Sequence, residues 1–190
     1  MKKIVTAFLL FSFSINLANS LEGSKVSNSR IKMLNGKYAK LSKYYEDGPV
    51  IINFWTTWWP NCEMQAAYLN QLNDGFNNAG LKVLGVNINS PKILNQVRPW
   101  INKRKIGYDI SVDPSGKLSD EFDVKGLPTL FMVDKNGIVI NKTAGFVDGD
   151  ESKYLEMVTQ YLDSENIKYE EFNFEKESKV KKDAILQIDF

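Results

Sequence analysis

The sequence predicts an α/β domain with a central mixed β-sheet flanked by helices. Three observations carry that prediction. Short apolar runs bounded by Gly, Pro and Asn-Gly turns read as strands, and segments with apolar residues every three or four positions read as helices. Their order is β-α-β followed by β-β-α, which calls for parallel and antiparallel pairing in one sheet. The 190 residues are 43% hydrophobic and 25% charged, an ordinary globular composition that can build a real core.

Residues 1–20 read as a secretory signal: Lys2-Lys3, then an apolar run from Ile4 to Leu17, then the small-residue cleavage site Ala18-Asn19-Ser20. The apolar run falls short of the ~18–20 residues that span a bilayer, so membrane contact is expected only through an uncleaved signal. An exported protein is implied, in a bacterial periplasm or cell envelope. Residues 21–30 are a polar, Ser/Asn-rich leader, and 31–163 form the domain.

Within the domain, Ile31–Leu34 and Tyr38–Leu41 flank Asn35-Gly36 as a hairpin. Val50–Trp55 has no polar alternation except Asn53, as suits a strand buried on both faces in mid-sheet. Pro60 opens a helix, where its missing N–H costs nothing, and Cys62, Ala66, Leu69, Leu72 and Phe76 form one apolar face. Gly80 ends that stretch. Leu81–Ile88 is a second buried strand, Pro91 starts a helix running to about Lys103, Tyr108–Val112 is a strand and Lys117–Phe122 a short helix. Leu130–Asp134 and Ile138–Asn141 pair around Asn136-Gly137, and a helix from Glu151 to Leu162 closes the domain.

Residues 164–190 break the pattern. Eleven of the nineteen residues from Glu165 to Asp183 are charged, which by default describes a solvated tail. Tyr169, Phe172 and Phe174 interrupt it, and Ile185–Ile188 could form a strand, so docking on this domain or on a partner is the alternative.

Composition excludes several chemistries. There is no histidine and a single cysteine, Cys62. Ser-His-Asp and Cys-His pairs, histidine zinc or haem sites, an intramolecular disulfide and a Cys-rich metal site are therefore unavailable. No metal or other cofactor is expected. Formal net charge is +1, or about −1 once a signal carrying Lys2 and Lys3 is removed, so nothing points to nucleic acid as a partner.

The most informative segment is Asn53-Phe54-Trp55-Thr56-Thr57-Trp58-Trp59-Pro60-Asn61-Cys62. Together with Asn35-Gly36-Lys37, Gly126-Leu127-Pro128-Thr129 and Asp134-Lys135-Asn136-Gly137, it makes the chain from about Ile31 to Leu162 resemble the exported thioredoxin-like proteins of the TlpA/ResA type. These are thiol-disulfide oxidoreductases of cytochrome c maturation and related thiol maintenance. The resemblance implies a thioredoxin-like fold and a cis-proline at Pro128 facing the active-site loop. It also implies that the backbone beside Pro128 meets an extended protein or peptide client, so Trp58, Trp59, Pro60, Leu127, Pro128 and Thr129 are the candidate binding residues. Trp55 and Trp58 match aromatics that pack the family's active-site loop, so core packing is the expected role for both, whereas Trp59 has no family counterpart.

Three positions depart from the family pattern. Trp59 stands where the attacking cysteine belongs, and tryptophan cannot open a disulfide. Gln65 stands where the haem-maturation reductases often carry a glutamate, and an amide cannot act as a general base near neutral pH. Asn53 replaces a buried acid, as it does in some relatives. Cys62 holds the resolving position, either as a small buried apolar residue or as a thiol activated by the helix N-terminus. Trp59 is either a lid over Cys62 or an exposed platform. A peroxiredoxin-type site would want threonine three residues before its cysteine, where Trp59 lies.

Two functions follow as expectations. In one, the protein lacks dithiol activity and binds a client in envelope thiol or cytochrome c maturation. In the other, it is a single-thiol oxidoreductase that works through mixed disulfides at Cys62.

Overall fold

A computed structural model describes residues 21–174. The predicted signal and the Ile185–Ile188 strand lie outside them. Among the described residues, seven strands form one sheet: β1 (Arg30–Met33), β2 (Tyr38–Lys40), β3 (Val50–Trp55), β4 (Lys82–Asn87), β5 (Asp109–Val112), β6 (Thr129–Val133) and β7 (Val139–Ala144). Their spatial order is β2-β1-β5-β4-β3-β6-β7. β3 pairs in parallel with β4, and β4 with β5, while β6 runs antiparallel to β3. The mixed sheet is therefore present, with β3 in its interior.

All six residues of β3 are buried, as a continuous apolar run predicts for a central strand. Their side chains alternate between two cores. Ile51 and Trp55 join a core shared with helices α1 (Pro60–Phe76), α2 (Val97–Arg104) and α4 (Glu151–Ser164). Val50, Ile52 and Phe54 join one on the other face, shared with helix α3 (Lys117–Glu121) and a 3-10 turn over Leu41–Tyr44. Leu41 was expected to end a strand and instead begins that turn.

α1 follows its sequence signals closely. Pro60 is its first residue, and Cys62, Ala66, Leu69, Leu72 and Phe76 are all buried. The helix expected from Pro91 to about Lys103 is two pieces, a 3-10 segment over Pro91–Gln96 and then α2. Pro99 accounts for the break. Its ring would clash with the carbonyl four residues earlier in a continuous α-helix, whereas it fits the first turn of a helix that starts at Val97.

Both ends of the described chain depart from the expected domain limits. The leader runs alongside β7, with the Gly23 N–H donating to the Val139 carbonyl and the Val139 N–H donating to that of Ser24. It also packs Leu21 and Val26 against the second core. The solvated-tail expectation fails for residues 165–174, which dock. Tyr169 and Phe172 stack against Phe76 with ring centroids 5.7 and 5.2 Å away, and Phe174 meets Tyr68 at 5.4 Å. Rings worth this much buried area outweigh the polar character of Lys168, Glu170 and Glu171, which stay exposed.

Candidate functional site at the N-terminus of α1

The site forms where β3 runs out into the Thr56–Trp59 loop and α1 begins. Cys62 is the third residue of the helix, and its N–H donates to the Trp59 carbonyl at 3.0 Å. Its exposure is 0%, and it packs in the core with Trp55 and Ala66. Burial pushes the thiol up to about 11, with hydrogen bonding from the backbone and side chain of Thr56 pulling the other way and losing. A thiol held that high is almost wholly protonated at neutral pH, so it is neither a nucleophile nor a ready metal ligand.

Trp59 is open to solvent at 42% exposure. Core packing holds for Trp55 but fails for Trp58, which is 59% exposed because its ring meets the Trp59 indole edge to face, centroids 5.6 Å apart, on the outside of the loop. With Ile88, Val124, Lys125, Gly126 and Leu127 they line a groove of about 540 Å³. The rim carries one ion pair, Lys125 with Asp123 at 2.5 Å. The groove is a largely apolar trough with polar backbone along one side.

That backbone belongs to Leu127. No backbone hydrogen bond among the described residues uses its N–H or carbonyl. The Leu127–Pro128 peptide is cis. The next two residues turn inward. The Pro128 carbonyl accepts from the Gly145 N–H at 2.7 Å, and Thr129 is buried with its hydroxyl donating to the Gly126 carbonyl at 2.7 Å. Of the six residues expected to meet a client, Trp58, Trp59 and Leu127 line the groove. Pro60 is exposed but outside the lining, and Pro128 and Thr129 support it from beneath.

Gln65 lies one turn beyond Cys62 and is fully buried. Its Nε2 donates to the Tyr154 hydroxyl on α4 at 2.8 Å, and its Oε1 has no partner among the described residues. The amide thus ties α1 to α4. Asn53, on the same face of β3 as Trp55, is buried with both amide atoms unpartnered among the described residues.

A second set of residues, which sequence reading passed over, holds the tryptophan loop in place. Asn89 grips Thr57 twice: its Oδ1 accepts from the Thr57 N–H at 3.1 Å and its Nδ2 donates to the Thr57 hydroxyl at 2.8 Å. The Asn89 N–H in turn donates to Asn87 Oδ1 at 3.0 Å, and Asn87 Nδ2 donates to the Trp55 carbonyl at 3.4 Å. The available signal was Asn87-Ile88-Asn89 ending an apolar run. Two amides flanking an isoleucine at the carboxyl end of a parallel strand mark the edge where α/β sheets place their sites.

Comparison with known proteins decides the family. The AhpC/TSA family model matches residues 23–142. The chain belongs to the AhpC/TSA family. Among its relatives there, the thiol-disulfide oxidoreductase ResA of Geobacillus thermodenitrificans is 30% identical over 142 residues, covering 75% of this chain and 76% of the relative. The thiol:disulfide interchange protein DsbE of Escherichia coli K12 is 31% identical over 133 residues, 68% and 69% of the two chains. A solved structure of a candidate DsbE from Chlorobium tepidum superimposes with a TM-score of 0.69 at 24% identity, over 74% of this chain and 97% of that one. The family thus unites a thioredoxin-like fold with thiol-disulfide oxidoreductases of the ResA and DsbE kind. This member brings one sulfur, Cys62, to its site.

Proposed function

We propose that this protein is an exported, thioredoxin-like member of the ResA/DsbE group that has given up dithiol exchange and binds an extended protein segment in envelope thiol or cytochrome c maturation. The observation that carries the reading is the pairing of a fully buried Cys62 with an exposed Trp59. Dithiol exchange needs an exposed thiolate to attack and a second sulfur to resolve the mixed disulfide. Here the exposed position holds an indole, and the sulfur is held protonated in the core. What the site offers instead is an apolar trough beside the Leu127 backbone, a pairing that suits strand-like capture of a peptide. The apparent signal at residues 1–20 supports the location.

The thiol is tested directly. Iodoacetamide should label Cys62 in the folded protein far more slowly than in the unfolded chain at pH 7–9, with labelling rising only as the pH nears 11. Fast labelling at pH 7 would revive the single-thiol enzyme.

Binding is tested with an apocytochrome c peptide whose cysteines are alkylated, so that only non-covalent capture is read. Cys62→Ser should bind as the parent does, and Trp59→Ala should bind at least tenfold more weakly, as truncation of an aromatic anchor does. Loss of binding in a folded Cys62→Ser protein would sink the proposal.

A further inference from the structure

The sheet ends at β2 on a basic face. Residues 23–45 carry six lysines and arginines and no acid. The register sets Arg30 opposite Lys40 and Lys32 opposite Tyr38, and directly opposed residues share a face of the sheet. Three cations therefore surround Tyr38, whose ring lies under the Arg30 guanidinium at 4.1 Å. All four residues are exposed, and none of the three cations enters an ion pair among the described residues. Two acids come near, Asp113 and Glu121, which line a cavity with Arg30, Lys32, Tyr38 and Lys117. Both are engaged elsewhere. Asp113 accepts from the Ser119 N–H, and Glu121 accepts from the Ser27 and Ser29 hydroxyls and feels Lys117. Like charges set directly opposite one another weaken a strand pair, so Arg30 and Lys40 cost the hairpin stability that neither acid returns.

The backbone at this edge is open as well. The Lys37 carbonyl accepts from the Met33 N–H, and the Leu41 N–H donates to the Ser29 carbonyl, both toward β1. Antiparallel alternation then turns the N–H and carbonyl groups of Tyr38 and Lys40 outward, and among the described residues β2 has no strand on that side. We infer that this edge is a second docking site, one that takes an extended acidic segment of a partner protein as an added strand. On such a strand the residues facing Tyr38 and Lys40 lie two apart and project onto the cationic face. The segment that fits therefore carries acids at alternate positions. A second copy paired through the same edge would bring its own Arg30 and Lys40 against these, the repulsion by which edge lysines keep sheets apart. A lipid headgroup supplies charge but no backbone to pair. In the sheet β2 lies four strands from β3, about 19 Å from the strand that feeds the tryptophan loop, so the inference stands apart from the function proposed above.

Fluorescence anisotropy tests it, with the fluorescein-labelled peptide Thr-Glu-Val-Glu-Val-Glu-Thr titrated with the protein. This alternating peptide should bind about tenfold more tightly than its block isomer Thr-Glu-Glu-Glu-Val-Val-Thr, which carries the same charge. Lys40→Glu should weaken the alternating peptide about tenfold and raise the melting temperature by about 2 °C, because it sets opposite charges across the β1–β2 pair. A residue of purely structural worth would not move the two readouts in opposite senses. Equal binding of the two peptides would overturn the inference, as would equal binding of the alternating peptide by the parent and Lys40→Glu. Tighter capture of the parent by phosphatidylglycerol vesicles than by the peptide would also overturn it, by assigning the face to lipid. A parent dimer that Lys40→Glu dissolves would do the same, by assigning the edge to a second copy.

Discussion

Replacing Trp59 with cysteine should give this protein a reducible disulfide, and with it a dithiol reactivity expected to exceed the parent's by orders of magnitude. The substitution yields two sulfurs separated by Pro60-Asn61 at the start of α1, one at the cap position and one at the third helical residue. The cap position faces the unpaired N–H groups and positive end of the helix, which stabilise a thiolate. The third residue, Cys62, is sheltered in the core and suited to resolve. Mild oxidation should remove both free thiols, dithiothreitol should return them, and the reduced variant should reduce insulin where the parent does not. Two free thiols persisting under oxidised glutathione would mean that the loop has lost the disulfide geometry as well as the sulfur. The inertness proposed for the parent would then not be the work of Trp59 alone.

The second large effect is Gln65→Glu, and its size depends on pH. Gln65 is wholly buried, with the Tyr154 hydroxyl as its hydrogen-bond partner. Tyr154's own ionisation is pushed up to about 12, mainly by burial, so this part of the core resists charge. Burial there favours the neutral carboxyl, so its folded pKa is raised above the ~4.3 of an unfolded glutamate. Near pH 4 both states are largely protonated, and the variant should be nearly as stable as the parent. As pH rises, the unfolded chain ionises first and the folded state loses ground, until the folded carboxyl itself titrates. A shift of about two units costs about 3 kcal/mol at pH 7. Urea unfolding at pH 4 and pH 7 checks this. An equal penalty at both would indicate a steric effect, and none at either would mean that the site admits water.

Particular residues show what could be read in advance. The unbroken apolar run Val50–Trp55 could only be an interior strand, and Pro60 with the Cys62–Phe76 spacing could only be a helix with its sulfur turned inward. Those are local signals, and the structure follows them. Trp59 could not be settled the same way, since a lid and an open platform have the same sequence. Its exposure depends on how Asn89 holds Thr57, across an intervening helix and strand. Thr129 looked like part of a binding edge but spends its hydroxyl on Gly126, a choice fixed by the turn before β6. Tyr169, Phe172 and Phe174 are three rings in a charged background, and composition alone reads them as solvated. Their docking needed a glycine at position 75, where a flat ring can lie directly on the helix.

The Asn87–Asn89–Thr57 chain of hydrogen bonds has one more implication. A loop gripped at both the N–H and the hydroxyl of Thr57 keeps its two indoles in position before anything arrives. Ordering mobile side chains and loops on association costs affinity that a preorganised surface retains. On the binding function proposed above, the tryptophan groove would meet its client as a rigid mould, and the conformational adjustment on contact would fall to the incoming strand.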